Sequence, residues 1–201
     1  MPPRQPWAFE LLAHHDGSYM LGDATFKPPP PLTDWRFGSP GHPHPATCAT
    51  CGAKVDKTFV AAHFRVNKRR RDITATYDGY TLVSARLRDT LLRHGATPED
   101  FRALPADPAY WWLSPQQVLD FSAAKRNNPC RACGEYFDEV VPEPRFLERL
   151  AGPLSMGVYR SSLEFGSVPL KGTALVIGVD TAQALRDASL TGLILDPLRC
   201  P

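Results

Sequence analysis

Two pairs of cysteines carry the clearest chemistry in this 201-residue chain. Cys48 and Cys51 form the first pair, Cys130 and Cys133 form the second, and a glycine follows each pair. Two residues between cysteines let the backbone curl until both thiolates face one ion. Two such knuckles complete the tetrahedral four-sulfur shell that zinc takes in closed structural sites. The pattern therefore predicts one structural zinc ion per chain, held by these four residues.

The separation of the two knuckles is unusual. An ordinary zinc ribbon places about 15 to 20 residues between its cysteine pairs, whereas residues 52–129 intervene here. The simplest arrangement is a zinc-ribbon-like site whose distal loop has become an inserted subdomain, residues 52–129, within a single domain of residues 1–201. A closed four-cysteine shell leaves no position for water or substrate, so we expect the ion to stabilise the fold and not to catalyse.

Other interpretations of the cysteines remain open. The four could be unlinked, or each pair could be redox-active, although a redox pair normally opens a helix near a βαβ unit and neither pair does so here. His44 could contribute to a mixed site, but four cysteines already complete the shell. Cys200 has no partner in the sequence and is expected to be a bystander.

The composition is typical of a globular protein, with 43% hydrophobic and 22% charged residues and a net charge of +2. That net charge is too small to indicate a polyanionic partner. No apolar stretch approaches the roughly 18 residues of a membrane span, and the N-terminus lacks the apolar run of a secretory signal. We therefore expect a cytoplasmic protein that is not associated with membranes, in which paired cysteines bind metal and do not form disulfides.

The hydrophobic periodicity predicts an α+β fold of mainly antiparallel strands with two or three helices. Alternating apolar residues indicate a hairpin within residues 1–27, with its turn at residues 15–18. A further pair of strands is expected on either side of a basic turn at residues 68–71. The strands expected after the first hairpin are residues 57–66, 73–77, 101–104, 110–113, 118–121, 174–179 and 193–195.

The helices are predicted from their caps. Ser84 is a suitable N-cap for a helix that runs to His94. A second helix is expected to begin at residue 180 or 181 and to dock Ala184 and Leu185 against a buried strand at residues 174–179. Residues 145–151 could add one or two further helical turns.

Beyond these local patterns, the chain resembles the bacterial double-CXXCG motif proteins, some of which are described as immunity proteins against contact-delivered toxins. The resemblance rests on the motifs at residues 48–52 and 130–134, on their wide separation, and on the tail from residue 158 to residue 195. In that family a similar tail runs as a strand, a helix and a closing strand. Residues 82–113 also resemble a helix and strand pair found in bacterial immunity-like proteins. The resemblance implies a binding protein with a structural zinc and a cognate toxin as its partner.

Three surface features admit two interpretations each. The basic run 68–71 could contact phosphates, but the nearly neutral chain favours a solvated turn. The acidic residues of segment 135–143 (Glu135, Asp138, Glu139 and Glu143) could be a solvated segment or could face a basic partner. Adjacent residues of a strand point to opposite faces, so one of Tyr110, Trp111 and Trp112 should lie near the surface unless that strand is buried on both sides.

These observations favour a zinc-stabilised immunity or antitoxin-like protein that neutralises a cognate toxin by direct stoichiometric binding. We do not expect an enzyme, because the sequence contains no Gly-x-Ser-x-Gly, Walker or His-Glu-x-x-His motif. The alternative is a zinc-ribbon protein that binds nucleic acid through a basic hairpin at residues 65–71.

Overall fold

The computed structural model describes residues 5–21, 44–67, 70–142, 150 and 152–198. Within these ranges the chain forms two β-sheets and two α-helices. The strands are β1 (Ala8–Ala13), β2 (Ile73–Ala75), β3 (Thr81–Ser84), β4 (Phe101–Ala103), β5 (Tyr110–Leu113), β6 (Val118–Leu119), β7 (Lys125–Pro129), β8 (Tyr136–Val140), β9 (Val158–Ser167), β10 (Gly172–Ile177) and β11 (Leu193–Leu198). The helices are α1 (Ala85–Arg93) and α2 (Val179–Asp187). The predicted α+β class with mainly antiparallel strands is confirmed.

The larger sheet has the strand order β11-β1-β10-β9-β8-β7, and β6 adds to it by a parallel pairing with β9. Strand β1 lies between β10 and β11 and is antiparallel to both. The hairpin predicted within residues 1–27 is therefore wrong. Its apolar alternation identified a strand correctly, but the partners of that strand come from the other end of the chain. His15 instead forms a parallel bridge with Ala75.

The smaller sheet has the order β2-β3-β5-β4 and is antiparallel throughout. The strand predicted at residues 57–66 is wrong, because this segment runs as successive turns. Asp56 accepts a hydrogen bond from the Thr58 N–H at 2.9 Å, which removes that donor from any strand ladder. Among the described residues, the hairpin expected at residues 65–71 therefore lacks its first strand. Residues 68 and 69 lie outside the described part of the chain.

One apolar core joins the two sheets. Phe9 of β1 and Ile177 of β10 belong to the same buried cluster as Ile73 of β2 and Leu87 and Leu91 of α1. The smaller sheet thus shares a core with the larger sheet, and α1 packs between the smaller sheet and α2. Strands β2 to β5 all fall within residues 52–129; the treatment of that range as an inserted subdomain stays a prediction.

Helix α1 forms as its cap predicts. The Ser84 hydroxyl accepts a hydrogen bond from the Leu87 N–H at 3.3 Å, and the helix ends at His94. Leu87 and Leu91 are completely buried. The cap, the length and the apolar stripe of this helix could therefore all be predicted from the local sequence.

Helix α2 begins earlier than predicted. Its N-cap is Gly178, and the predicted caps Asp180 and Thr181 lie inside the helix. The first N–H groups of α2 are satisfied by backbone: Val179 and Asp180 donate to the carbonyls of residues 154 and 155 at 2.8 Å each. A side-chain cap is unnecessary because those carbonyls take its place.

The C-terminal strand β10 is buried as predicted, and Val176 is only 1% exposed. Helix α2 docks Ala182 and Leu185, which are fully buried, whereas the predicted contact Ala184 is half-buried. Leu185 is thus buried as predicted, and Ala182 takes the place expected of Ala184. Apart from residue 150, the turns expected at residues 145–151 lie outside the described residues.

The aromatic strand β5 is covered on both faces. Tyr110 and Trp112 are buried in the cluster that includes Tyr80. Trp111, on the opposite face, is partly buried, and the guanidinium carbon of Arg88 lies 4.5 Å from its ring centroid. This arrangement favours a packing role over an exposed aromatic anchor.

Candidate metal centre

The four cysteines of the two motifs meet in one group. All four sulfur atoms lie within 4.8 Å of one another. The Cys51 and Cys133 sulfurs are 3.6 Å apart, and those of Cys48 and Cys130 are 4.0 Å apart. A tetrahedral ion with metal–sulfur bonds of about 2.3 Å separates its sulfurs by about 3.8 Å. The sulfurs are therefore spaced to hold one metal ion.

The first knuckle, residues 48–52, is closed by its own backbone. The Cys48 N–H donates to the Ala53 carbonyl and the Gly52 N–H donates to the Cys48 carbonyl, both at 2.8 Å. Thr47 and Lys54 pair as an antiparallel bridge on either side of this turn. The knuckle is thus the tip of a very short hairpin.

The second knuckle, residues 130–134, repeats this geometry at the tip of the β7–β8 hairpin. The Cys130 N–H donates to the Glu135 carbonyl and the Gly134 N–H to the Cys130 carbonyl, again at 2.8 Å. Gly134 has φ +78° and Gly52 has φ +76°. No heavy atom lies within 4 Å of a Cβ placed on Gly134, so glycine is needed there for its backbone conformation and not for space.

The backbone also sets the ionisation of the thiols. Burial disfavours the Cys48 thiolate, but the N–H groups of Cys51 and Thr50 directed at its sulfur outweigh this and lower its pKa to about 6. The equivalent N–H groups lower the pKa of Cys130. Burial raises the pKa of Cys51 to about 12 and also raises that of Cys133. Because metals bind thiolates, N–H donors directed at sulfur suit a metal-ligand role.

A set of ion pairs surrounds the knuckles. Lys57 lies 2.9 Å from Glu135, and Lys171 lies 2.5 Å from Glu139 and 3.6 Å from Glu135. A third lysine, Lys54, lies 3.1 Å from a glutamate of β9. We call this set the ionic cluster; its members are Lys54, Lys57, Arg126, Glu135, Glu139, Glu164 and Lys171.

The ionic cluster corrects the interpretation of segment 135–143 as a solvated acidic segment. Glu139 is only 5% exposed and is paired with Lys171 and with Arg126 at 2.9 Å. Asp138 accepts a hydrogen bond from the Ser167 hydroxyl at 2.5 Å, and Glu143 lies outside the described residues. The carboxylates that the structure describes are thus engaged within the chain.

Lys54 connects the first knuckle to both sheets. Its ammonium group donates to the Asp78 carbonyl at 3.2 Å, next to the β2–β3 turn, and to the Lys171 carbonyl at 3.5 Å, next to β10. It also lies 4.6 Å from the ring centroid of Tyr80. Sequence analysis did not predict this role, although a signal was present. Lys54 and Lys57 follow the first knuckle, and the oppositely charged Glu135 and Glu139 follow the second.

His44 is not part of the cysteine group. Its Nδ1 accepts a hydrogen bond from the Ala46 N–H at 3.1 Å, and its ring packs against that of Phe59 in a T-shaped arrangement with centroids 4.7 Å apart. Burial lowers the pKa of His44, which keeps the ring neutral at pH 7. Cys200 lies outside the described residues.

The chain matches no protein-family model and no curated protein sequence. In the part of the chain that the structure describes, no helix is long and apolar enough to cross a bilayer. The resemblance to double-CXXCG motif proteins therefore rests on the sequence motifs described above, chiefly the two cysteine knuckles.

Proposed function

We propose that this chain is a zinc-stabilised immunity or antitoxin-like protein, which neutralises a cognate toxin by direct stoichiometric binding without turnover. The observation that carries the proposal is the closed group of four sulfurs, spaced for one tetrahedral ion. A shell filled by four protein ligands leaves no coordination position for a substrate. The ion therefore has a structural role, and the biological activity belongs to a binding surface.

The donor set favours zinc. Four thiolates in tetrahedral array suit zinc or iron, and closed four-cysteine sites are a common structural form of zinc. Cys48, Cys51, Cys130 and Cys133 are the residues that would hold the ion. When bound, it supplies a cross-link between segments that are 82 positions apart. Such a link stabilises the folded chain because the site exists only in that state.

The toxin as partner is supported by the motif resemblance and is tested in cells. Each candidate toxin gene is expressed with and without this chain, and the two proteins are purified through a tag on one of them. We expect rescue from one toxin and no other, with co-purification near one to one. Growth inhibition that persists with every toxin tested, or rescue without a stable complex, contradicts neutralisation by binding.

A nucleic-acid function is the second candidate, and one contact favours it. The Asn67 N–H, within the basic segment, donates to the Asp16 carboxylate at 3.1 Å. The neighbour of Asp16, His15, stacks on Tyr77 with ring centroids 5.0 Å apart. Single-stranded nucleic acid binds to surfaces that combine cationic and aromatic groups. The described arginines of this segment that are exposed are Arg65 and Arg70.

Salt dependence separates the two candidates. Reversal of both arginines (Arg65→Glu with Arg70→Glu) should leave toxin neutralisation unchanged. If the chain instead contacts phosphates, the same change should reduce the slope of log affinity against log salt by about 1.4, because each contact with a single-stranded phosphate contributes about 0.7. The measurement is fluorescence anisotropy with a labelled single-stranded oligonucleotide at several salt concentrations.

A further inference from the structure

We propose that the ionic cluster holds the two cysteine knuckles together without metal, so that the metal-free protein keeps a preformed ligand set. This inference rests on the metal site of the proposed function. The lysines and glutamates of the cluster are then positioning residues: they affect metal binding because they hold the cysteines in place. The ion then binds and leaves without unfolding of the chain.

The first observation is the direct link between the two knuckle segments. Lys57 lies six residues after Cys51, and Glu135 lies two residues after Cys133. Their side chains form an ion pair of 2.9 Å. This contact joins the two ligand-bearing segments directly.

The second observation is an indirect link through the strands β9 and β10. Glu164 of β9 pairs with Lys54 at 3.1 Å and with Lys57 at 3.7 Å, and both lysines follow the first knuckle in the chain. Lys171, next to β10, pairs with Glu135 and Glu139 of the second. Each knuckle segment is therefore tied to the same β9–β10 pair through charges of its own.

Burial makes these links persistent. The side chains of Lys171 and Glu139 are each 5% exposed, and that of Lys54 is 6% exposed. Salt screens such buried pairs much less than surface pairs, and separating them leaves an uncompensated buried charge, which is strongly unfavourable. The backbone hydrogen bonds that close each knuckle do not involve metal either. Both the shape and the relative position of the knuckles are thus defined by contacts of the protein alone.

The competing explanation is electrostatic compensation. Four thiolates around a divalent ion carry a net charge of about −2, and nearby lysines would favour that charge without positioning anything. The two explanations differ at Glu135. Removal of this carboxylate breaks two ion pairs of the cluster, but it also removes a negative charge next to the thiolates. Positioning predicts weaker metal binding, whereas compensation alone predicts tighter binding.

The test uses the full chain and the variant Glu135→Met, with Glu99→Met as the control, because Glu99 is an exposed glutamate outside the cluster. Zinc affinity is measured by competition with a chromophoric chelator under reducing conditions. We expect Glu135→Met to weaken zinc binding about threefold, the size associated with loss of a partly exposed ion pair, and Glu99→Met to leave the affinity unchanged. Unchanged or tighter binding in Glu135→Met overturns the proposal.

A second measurement does not require zinc. The metal-free protein is oxidised briefly with diamide, which takes two electrons and two protons from each pair of thiols that becomes a disulfide, and the disulfides are mapped by mass spectrometry. A preformed site should give cross-links between the knuckles, such as Cys51 to Cys133, and Glu135→Met should reduce their share relative to links within each knuckle. Links only within knuckles in the wild type overturn the proposal. If the wild type binds no zinc but forms the cross-links, the proposed metal function fails while the positioning role stands.

Discussion

Thr191 donates two hydrogen bonds to the carboxylate of Asp72, across 119 positions of sequence, from its N–H at 2.8 Å and its hydroxyl at 3.0 Å. The same carboxylate accepts the hydroxyl of Ser84, the N-cap of α1, at 2.8 Å and lies 3.6 Å from Arg86. A single side chain therefore connects the start of β2, the first turn of α1 and the turn before β11. No local pattern in the sequence indicates this role.

Asp72 should make stability depend on pH. Burial disfavours its ionised form, but the hydrogen bonds from Thr191 and Ser84 and the charge of Arg86 outweigh burial and lower its pKa. Its unfolded pKa is about 3.9, so the carboxylate stabilises the fold above that pH, and this contribution is lost as pH falls through the lower, folded pKa. We expect the free energy of unfolding to decrease from pH 5 downwards.

Asp72→Asn should reduce this acid dependence and destabilise the protein by about 1–3 kcal/mol at pH 7, since it leaves buried donors poorly matched. Urea unfolding followed by circular dichroism at pH 7 and at pH 3, below the unfolded pKa of about 3.9, provides the measurement. Asp89→Asn is the control, because the Asp89 side chain is 58% exposed. Equal pH dependence in wild type and Asp72→Asn would show that another group titrates.

Metal content tests the cysteine group. Protein purified without chelators should contain about one zinc per chain by elemental analysis, because four thiolates form one tetrahedral shell. Cys48→Ser should lose the ion, and its free energy of unfolding should fall by about 4 kcal/mol. This is the stabilisation that a ligand gives when it is present at about a thousand times its Kd. Cys200→Ser should retain both. Two ions per chain, or a Cys200→Ser protein that behaves like Cys48→Ser, would contradict the ligand assignment.

The buried strand β10 offers a sharp test of the core. Val176→Asp should abolish soluble expression, because Val176 is 1% exposed and an unpaired buried carboxylate is strongly unfavourable. The control Ile194→Asp, on β11 at 37% exposure, should still yield folded protein. The soluble fraction and the thermal unfolding of each variant decide the outcome; a stable Val176→Asp protein would place this strand elsewhere.

Alanine substitutions at Gly79 and Gly17 separate the effect of a steric clash from the effect of the backbone conformation. Both have positive φ, +85° and +84°, but a Cβ on Gly79 would meet the Lys171 carbonyl oxygen and lie 2.6 Å from the Gly172 Cα, whereas a Cβ on Gly17 meets nothing within 4 Å. Gly17→Ala should therefore cost only about 1–2 kcal/mol for its backbone conformation. Gly79→Ala should cost clearly more, because two backbones must separate. Similar losses in chemical unfolding would mean that the contact at Gly79 can relax.

The parts of the structure that sequence reasoning found are those whose cause is local. The two knuckles follow from the spacing of two cysteines and a glycine. Helix α1 follows from Ser84 and the leucine repeat, and β10 from a continuous apolar run. In each case the residues that determine the element are adjacent in the chain, so no knowledge of partners was needed.

The parts that it missed depend on distant partners. Strand β7 reads as Lys-Arg-Asn-Asn-Pro and shows no apolar alternation; the knuckle turn and the pairing with β8 define it as a strand. Strand β1 was recognised, but its partners β10 and β11 lie at the opposite end of the sequence. Ala61, Phe64 and Val66 are apolar and buried, yet their segment forms turns. The Phe64 N–H donates to the Ala61 carbonyl at 3.2 Å and the Val66 N–H to the distant Asp107 carboxylate at 3.1 Å.

The wide separation of the knuckles has a consequence for the order of events during protein synthesis. Cys130 leaves the ribosome 82 residues after Cys48, a delay of about 4 to 16 s at the usual elongation rates of about 5 to 20 residues per second. During that interval the first knuckle offers only two thiolates. Strand β1 waits longer still, since its partners β10 and β11 follow the second knuckle in the chain. The metal shell can therefore close only after Cys133 has been made, and the larger sheet only after β10 and β11 have followed.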